Sequence, residues 1–205
     1  MQLKRRNDIL KKGGVERHPW FKSVCEEIET AIAAIVSPTG SDRFIINPTK
    51  KANGVRPIKI AFQNCLSQVF GWKLESLLGI PNTGKVDALR QIPDSQKRFA
   101  VEWETGNVSS SHRAINKIAL GILEGKLIGG ALVVPSGELY KFLTDRVGSY
   151  REISTYFPMW GKLDYSSECI ISVFEVEHDA SDLNVPIIKK GKDGMSQGLV
   201  TSRRI

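Results

Sequence analysis

Apolar residues recur along this chain with two different periods, and the points where one gives way to the other divide it into helices and strands. Phe21, Val24, Cys25, Ile28, Ile32 and Ile35 fall three or four positions apart, the spacing of one buried helix face, and the run stops before Pro38 and Gly40. Pro57 opens a second such stretch through Ile60, Ala61, Leu66, Val69 and Phe70, closed by Gly71 and Trp72. Ile115, Ile118, Ala119 and Ile122 make a third stripe before Gly125, with Ser109, Ser110 or Ser111 available to cap it. Between the second and third stripes, short apolar runs at 85–89 and 98–104 flank a polar stretch containing Pro93 and Asp94, the pattern of two strands joined as a hairpin. Further on, the pattern predicts a strand at 127–134, a helix over about 137–147, a long polar and aromatic loop, and a strand at 169–176. Strands alternating with helices predict an α/β fold: a central mixed β-sheet flanked by helices on both faces.

Composition narrows this picture. The chain has 205 residues, 41% of them hydrophobic, enough to bury one sizeable core, and no linker divides it. We therefore expect a single domain over 1–205, with its core at about 20–178 and a basic tail from about 179 to 205. Lys and Arg outnumber Asp and Glu by 29 to 22, a net charge of +7, which favours a polyanionic partner. Cys25, Cys65 and Cys169 are odd in number, far apart and set in apolar stretches, so they read as small buried hydrophobes in a reducing cytoplasm. Three scattered histidines offer no zinc spacing. The first residues, Met-Gln-Leu-Lys-Arg-Arg, lack the apolar centre of a secretory signal, and no stretch approaches a membrane span.

The candidate chemistry lies in the hairpin. Side chains alternate along a strand, so Glu102 and Glu104 share one face, and the hairpin can bring Asp87 beside Glu102. Hard divalent cations take oxygen ligands, and Mg²⁺ is commonly held by one or two carboxylates together with water and substrate phosphate. A Glu-x-Glu pair is also what the solvated face of an edge strand looks like. Spacing by itself does not choose between these.

The surrounding motifs do. Gly71-Trp-Lys-Leu-Glu75, the strand around Asp87, Arg98-Phe-Ala-Val-Glu102 and Gly106-Asn-Val-Ser109 follow one another as they do in the BamHI, BglII and BstYI group of type II restriction endonucleases, within the PD-(D/E)XK nuclease superfamily. Gly130-Ala-Leu-Val-Val-Pro135 resembles that group's next core strand. Tyr150-Arg-Glu-Ile-Ser-Thr-Tyr156 resembles its recognition loop, and 169–176 its closing strand. The resemblance covers about residues 56–178. Two features depart from the pattern. The interval from Asp87 to Glu102 is long, so Asp94 is a rival first acid, although a Pro-Asp-Ser turn is where a turn residue belongs. The third acid is Glu104 where many relatives have Gln and the wider superfamily has Lys, which leaves the general base open.

The resemblance implies a restriction-endonuclease-like fold and Mg²⁺-dependent, sequence-specific hydrolysis of double-stranded DNA at a short palindrome, with Mn²⁺ able to substitute for Mg²⁺. It implies Asp87 and Glu102 as metal ligands, Glu104 as a group that orients or deprotonates water or holds a second metal, and Glu75, at the end of the second helix, as an auxiliary acid. Asn107 and Ser109 correspond to base-reading positions, supported by Ser111, His112 and Arg113, with Arg151, Glu152 and Ser154 on a second reading loop. Lys50, Lys51, Arg56 and Lys59 form a basic stretch suited to phosphate, as do Lys189, Lys190, Lys192, Arg203 and Arg204 in the tail. The same resemblance implies a homodimer joined through the helix from Ser111 to Glu124 and its neighbour, and a cognate methyltransferase that acts on the same site without stable binding. A less specific nuclease of this fold in repair or recombination, and a basic DNA-binding protein without catalysis, remain as alternatives.

Overall fold

The computed structural model describes residues 1–93, 95–104, 106–144, 147–190 and 200–202. The chain opens with strand β1 (Gln2–Lys12), a 3₁₀ turn at Val15–Arg17, and helix α1 (Pro19–Ala34). Two short strands follow, β2 (Ile35–Val36) and β3 (Ile45–Ile46), then α2 (Arg56–Phe70) and three strands, β4 (Lys73–Leu77), β5 (Lys85–Gln91) and β6 (Arg98–Trp103). Helix α3 (Val108–Leu123) leads to β7 (Leu127–Pro135) and three short helices, α4 (Gly137–Tyr140), α5 (Tyr150–Ser154) and α6 (Phe157–Trp160). Strands β8 (Cys169–Glu177), β9 (Ala180–Ser181) and β10 (Thr201–Ser202) complete the described elements.

One six-stranded sheet in the order β1-β8-β7-β6-β5-β4 divides the molecule. Its central pairs, β8 with β7 and β7 with β6, are parallel, and the pairs outside them are antiparallel, so the sheet is mixed as expected. Alternation along β6 sends Phe99, Val101 and Trp103 to one core and Ala100 to the other. The first core packs α1 and α2 through Phe21, Ile28, Ile58 and Phe62; the second packs α3 through Ile115, Ile118 and Ile122. Helices thus cover both faces. Strands β7 and β8 are apolar and buried along almost their whole length because both sides are covered.

The helix ends follow local chemistry. Pro57 occupies the first turn of α2, where its missing N–H costs nothing, and Gly71 closes the helix at φ 71°, a left-handed conformation that glycine adopts without a Cβ clash. At α3 the cap is Asn107, whose side chain accepts the Ser110 N–H at 3.2 Å, rather than any of the three expected serines.

The N-terminal residues, for which the sequence pattern predicted no element, form β1, an edge strand paired along β8. Three other expectations are corrected. The helix expected over 137–147 stops at Tyr140, and the next residues make turns that tie Lys51 and Asn53 to the 141–142 carbonyls. The expected polar loop is helical at α5 and α6, where Ser149 and Glu152 form a capping box and Tyr150, Ile153 and Trp160 are buried. The core also reaches past 20–178: Met1, Val15, Ile188 and Val200 all belong to it, and β9 and β10 pair with β3 and β2. Lys192, Arg203 and Arg204 lie outside the described residues.

Candidate active site

Strands β5 and β6 pair with Ala88 opposite Val101, so Asp87 and Glu102 come together where the ladder ends. Glu104 follows β6 directly, held by its own N–H donating to the Val133 carbonyl at 2.9 Å. All three carboxylates are buried, at 7%, 7% and 3% exposure, and all three line a cavity of about 210 Å³ that Lys59, Lys85, Ser110, Arg113 and Lys117 also border. Glu102 and Glu104 both meet side chains of α3, which shows that they share the face read from the strand period.

Each acid has a defined partner. Asp87 Oδ1 lies 2.5 Å from Lys59 Nζ, and its Oδ2 accepts the Trp103 N–H at 2.8 Å. Glu102 Oε1 lies 2.5 Å from Lys117 Nζ, which also donates to the Lys85 carbonyl at 2.6 Å. Glu104 accepts the Ser111 hydroxyl on Oε2 and the Gly106 N–H on Oε1 at 2.5 Å. Burial, and after it the Asp87 charge, push the Glu102 carboxyl up to about 7 against the opposing pull of Lys117. Two neighbouring carboxylates, each paired with a lysine, thus face one cavity bordered by further cationic side chains. Among the described residues no three His, Cys, Asp or Glu side chains are grouped so as to hold a metal ion by themselves. Asp87 and Glu102 both border this cavity, and carboxylate oxygens are the donor type a hard divalent cation takes.

Glu75 is on β4, not at the end of α2, in a left-handed backbone conformation (φ 46°) that is unusual for a side chain of its size. Its Oε1 accepts Gln63 Nε2 at 3.0 Å and lies 3.7 Å from Lys59 Nζ, so it reaches the acids through Lys59. Gln63 in turn donates to the Asp87 carbonyl at 3.0 Å. Arg56, Lys59 and Gln63 border an adjoining cavity of about 630 Å³, together with Glu75, Thr144 and Lys190.

The expected DNA-facing residues divide into two groups. Asn107, the N-cap of α3, and Ser109 and Arg113 on its first turns are exposed, and Arg113 borders the cavity; Arg151 is exposed on α5, and Lys50, Lys51 and Arg56 are exposed before and at the start of α2. Ser111 is a correction: it is fully buried and donates inward to Glu104, so it cannot meet a base. His112 is half-buried with its ring against Tyr156, centroids 4.3 Å apart. Glu152 is committed to capping α5, and Ser154 Oγ bonds the Arg151 carbonyl. Asp94 lies outside the described residues.

Three contributors escaped sequence reasoning. Lys117 is four positions after Arg113 and seven after Ser110, so helical spacing places it on the cavity face of α3, a signal present in the sequence. Gln63 stands in the same relation to Lys59 on α2. Gly148 carried no local signal: its N–H bonds the Gly106 carbonyl at 2.9 Å, and a Cβ there would collide with Ser111 Oγ.

A mixed sheet that delivers buried acids from a hairpin to the start of a helix defines a restriction-endonuclease-like protein. Comparison with known proteins agrees. The family model described as restriction endonuclease BamHI matches residues 1–195. The chain is 43% identical over 197 residues to the type II restriction enzyme OkrAI of Oceanobacter kriegii, covering 95% of this chain and 98% of that one. It is 36% identical over 179 residues to the type II restriction enzyme BamHI of Bacillus amyloliquefaciens, covering 83% and 81%. The chain belongs to the BamHI restriction endonuclease family. Dependence on a divalent metal is a general property of that family.

Proposed function

We propose that this chain, a type II site-specific deoxyribonuclease by family, hydrolyses double-stranded DNA at a short palindrome with Mg²⁺ held at Asp87 and Glu102. The observation that carries the reading is the burial of Asp87, Glu102 and Glu104 around one cavity whose rim is basic. Mg²⁺ bound there supplies Lewis-acid stabilisation of the charge that develops on the phosphate. Glu104, gripped by Ser111 and Gly106, is fixed in orientation and serves as the group that aligns the attacking water. Lys59 neutralises Asp87 and links it to Glu75, which acts as an auxiliary acid.

Arg113 borders the cavity and Asn107 and Ser109 are exposed at the start of the same helix, so the element that completes the cavity also presents polar groups to DNA. Arg151, together with Lys50, Lys51 and Arg56, extends the polar and basic surface toward flanking phosphates. A palindrome is read by a two-fold dimer in which each subunit acts on one strand. Leu123, 67% exposed near the end of α3, supports placing the dimer contact on that helix.

The test is a digest of long unmethylated DNA with Mg²⁺, wild type beside Glu102→Ala. Discrete fragments, lost in the variant, are expected. A smear lost in the variant would indicate a less specific nuclease, and binding without any cleavage would remove the catalytic reading.

A further inference from the structure

Lys117 is the cation closest to Glu102, and its setting is unlike that of the surface lysines. Its side chain is only 11% exposed, and its ammonium is shared between Glu102 Oε1 at 2.5 Å and the Lys85 carbonyl at 2.6 Å. By contrast, Lys141 pairs with Glu138 with more than half of each side chain exposed. A buried ammonium needs both charge compensation and hydrogen-bond acceptors, and Lys117 has one of each. The two acceptors come from different strands, β6 and β5, while the lysine comes from α3. We propose that Lys117 is the resident counter-cation of Glu102, occupying that carboxylate in the metal-free protein and competing with the divalent ion for it.

The geometry supports competition over a purely structural pairing. The contacted oxygen belongs to the carboxylate that borders the cavity, and Lys117 borders the same cavity. When Glu102 turns its charge to an incoming ion, the Lys85 carbonyl remains as an acceptor, so the ammonium is not stranded. Like charges a few ångströms apart repel strongly at reduced dielectric, so this lysine lowers the site's affinity for a divalent ion while keeping Glu102 in place. Lys117 is thus a positioning residue that sets metal affinity from α3. The inference rests on Glu102 being a metal ligand.

The experiment is Mn²⁺ binding to the full-length, DNA-free protein, followed by electron paramagnetic resonance of the unbound ion. Wild type is compared with Lys117→Gln, Lys117→Met, Lys141→Gln and Glu102→Gln. Removing the competing charge is expected to tighten Mn²⁺ binding by about tenfold in both Lys117 variants, leave Lys141→Gln unchanged, and abolish or greatly weaken binding in Glu102→Gln. Unchanged or weaker binding in both Lys117 variants, with Glu102→Gln still impaired, overturns the competition while leaving the metal site standing. Wild-type binding in Glu102→Gln removes the ligand assignment and the competition with it. Lys117→Met keeps the aliphatic stem, so it guards against a fold lost through poor packing in Lys117→Gln.

Discussion

At the scale of single residues the site is a balance of charges. Glu102 is buried beside Asp87, and burial raises its carboxyl from the usual 4.5 to about 7. A proton is therefore bound more tightly in the folded than in the unfolded chain between those two values. The resulting stabilisation is complete below about 4.5 and is lost as pH rises through about 7. For metal-free protein, the melting temperature of wild type relative to Glu102→Gln is expected to fall by several degrees between pH 5 and pH 8. Thermal denaturation at both pH values with chelator present checks this; parallel behaviour of the two proteins would contradict it. The acids themselves were legible in the sequence because strand alternation depends only on local geometry. Their pairing with Lys59 and Lys117 was not, since those side chains arrive from helices 28 and 15 positions away.

Among the elements, α3 has three tasks: Asn107 caps it, Ile115, Ile118 and Ile122 seat it on the sheet, and Ser111 and Lys117 reach back to the acids. The residues before α5 lock this arrangement, because Gly148 fits against Ser111 and Glu104 only without a Cβ. Gly148→Ala forces Ser111 Oγ to turn away, and the hydrogen bond to Glu104 is lost. That loss removes one charge-assisted hydrogen bond from a buried carboxylate, worth about 1–3 kcal/mol. Single-turnover cleavage is expected to slow by about ten- to a hundredfold with the secondary structure retained by circular dichroism; an unchanged rate would show that Glu104 needs no such support. The α3 stripe could be read from its period, but the capping residue depended on where the preceding strand ended. The helices at 150–160 escaped notice because each is too short to show a period.

On the scale of the whole molecule, Asn53 holds distant segments together. It is fully buried; its Nδ2 donates to the Asn47 and Phe142 carbonyls at 2.8 and 2.9 Å, and its Oδ1 accepts the Ile188 N–H at 3.1 Å. Gly54 beside it packs so closely on Lys189 that a Cβ would come within 2.5 Å of that carbonyl. The result is that Lys190 is brought to the cavity shared with Arg56 and Lys59. Asn53→Ala leaves buried groups on three segments without this partner and is expected to cost about 2–4 kcal/mol, lowering the melting temperature by about 5–10 °C. Limited proteolysis should then cut first near residues 183–190; cleavage elsewhere, or none, would argue against the clamp.

The sequence by itself determined the alternation of strands and helices, the mixed sheet, the hairpin with its acids and the basic balance of the chain, because periodicity, turn residues and charge are local properties. The family resemblance followed from the order of those same motifs. Tertiary structure alone decided that β1 completes the sheet, that Ile188 and Val200 join the core, that Ser111 faces inward and that Lys59 and Lys117 neutralise the acids. Each of these depends on contacts between residues far apart in the chain, and burial makes such contacts obligatory: a charge or hydroxyl withdrawn from water must find its partner wherever the fold supplies one.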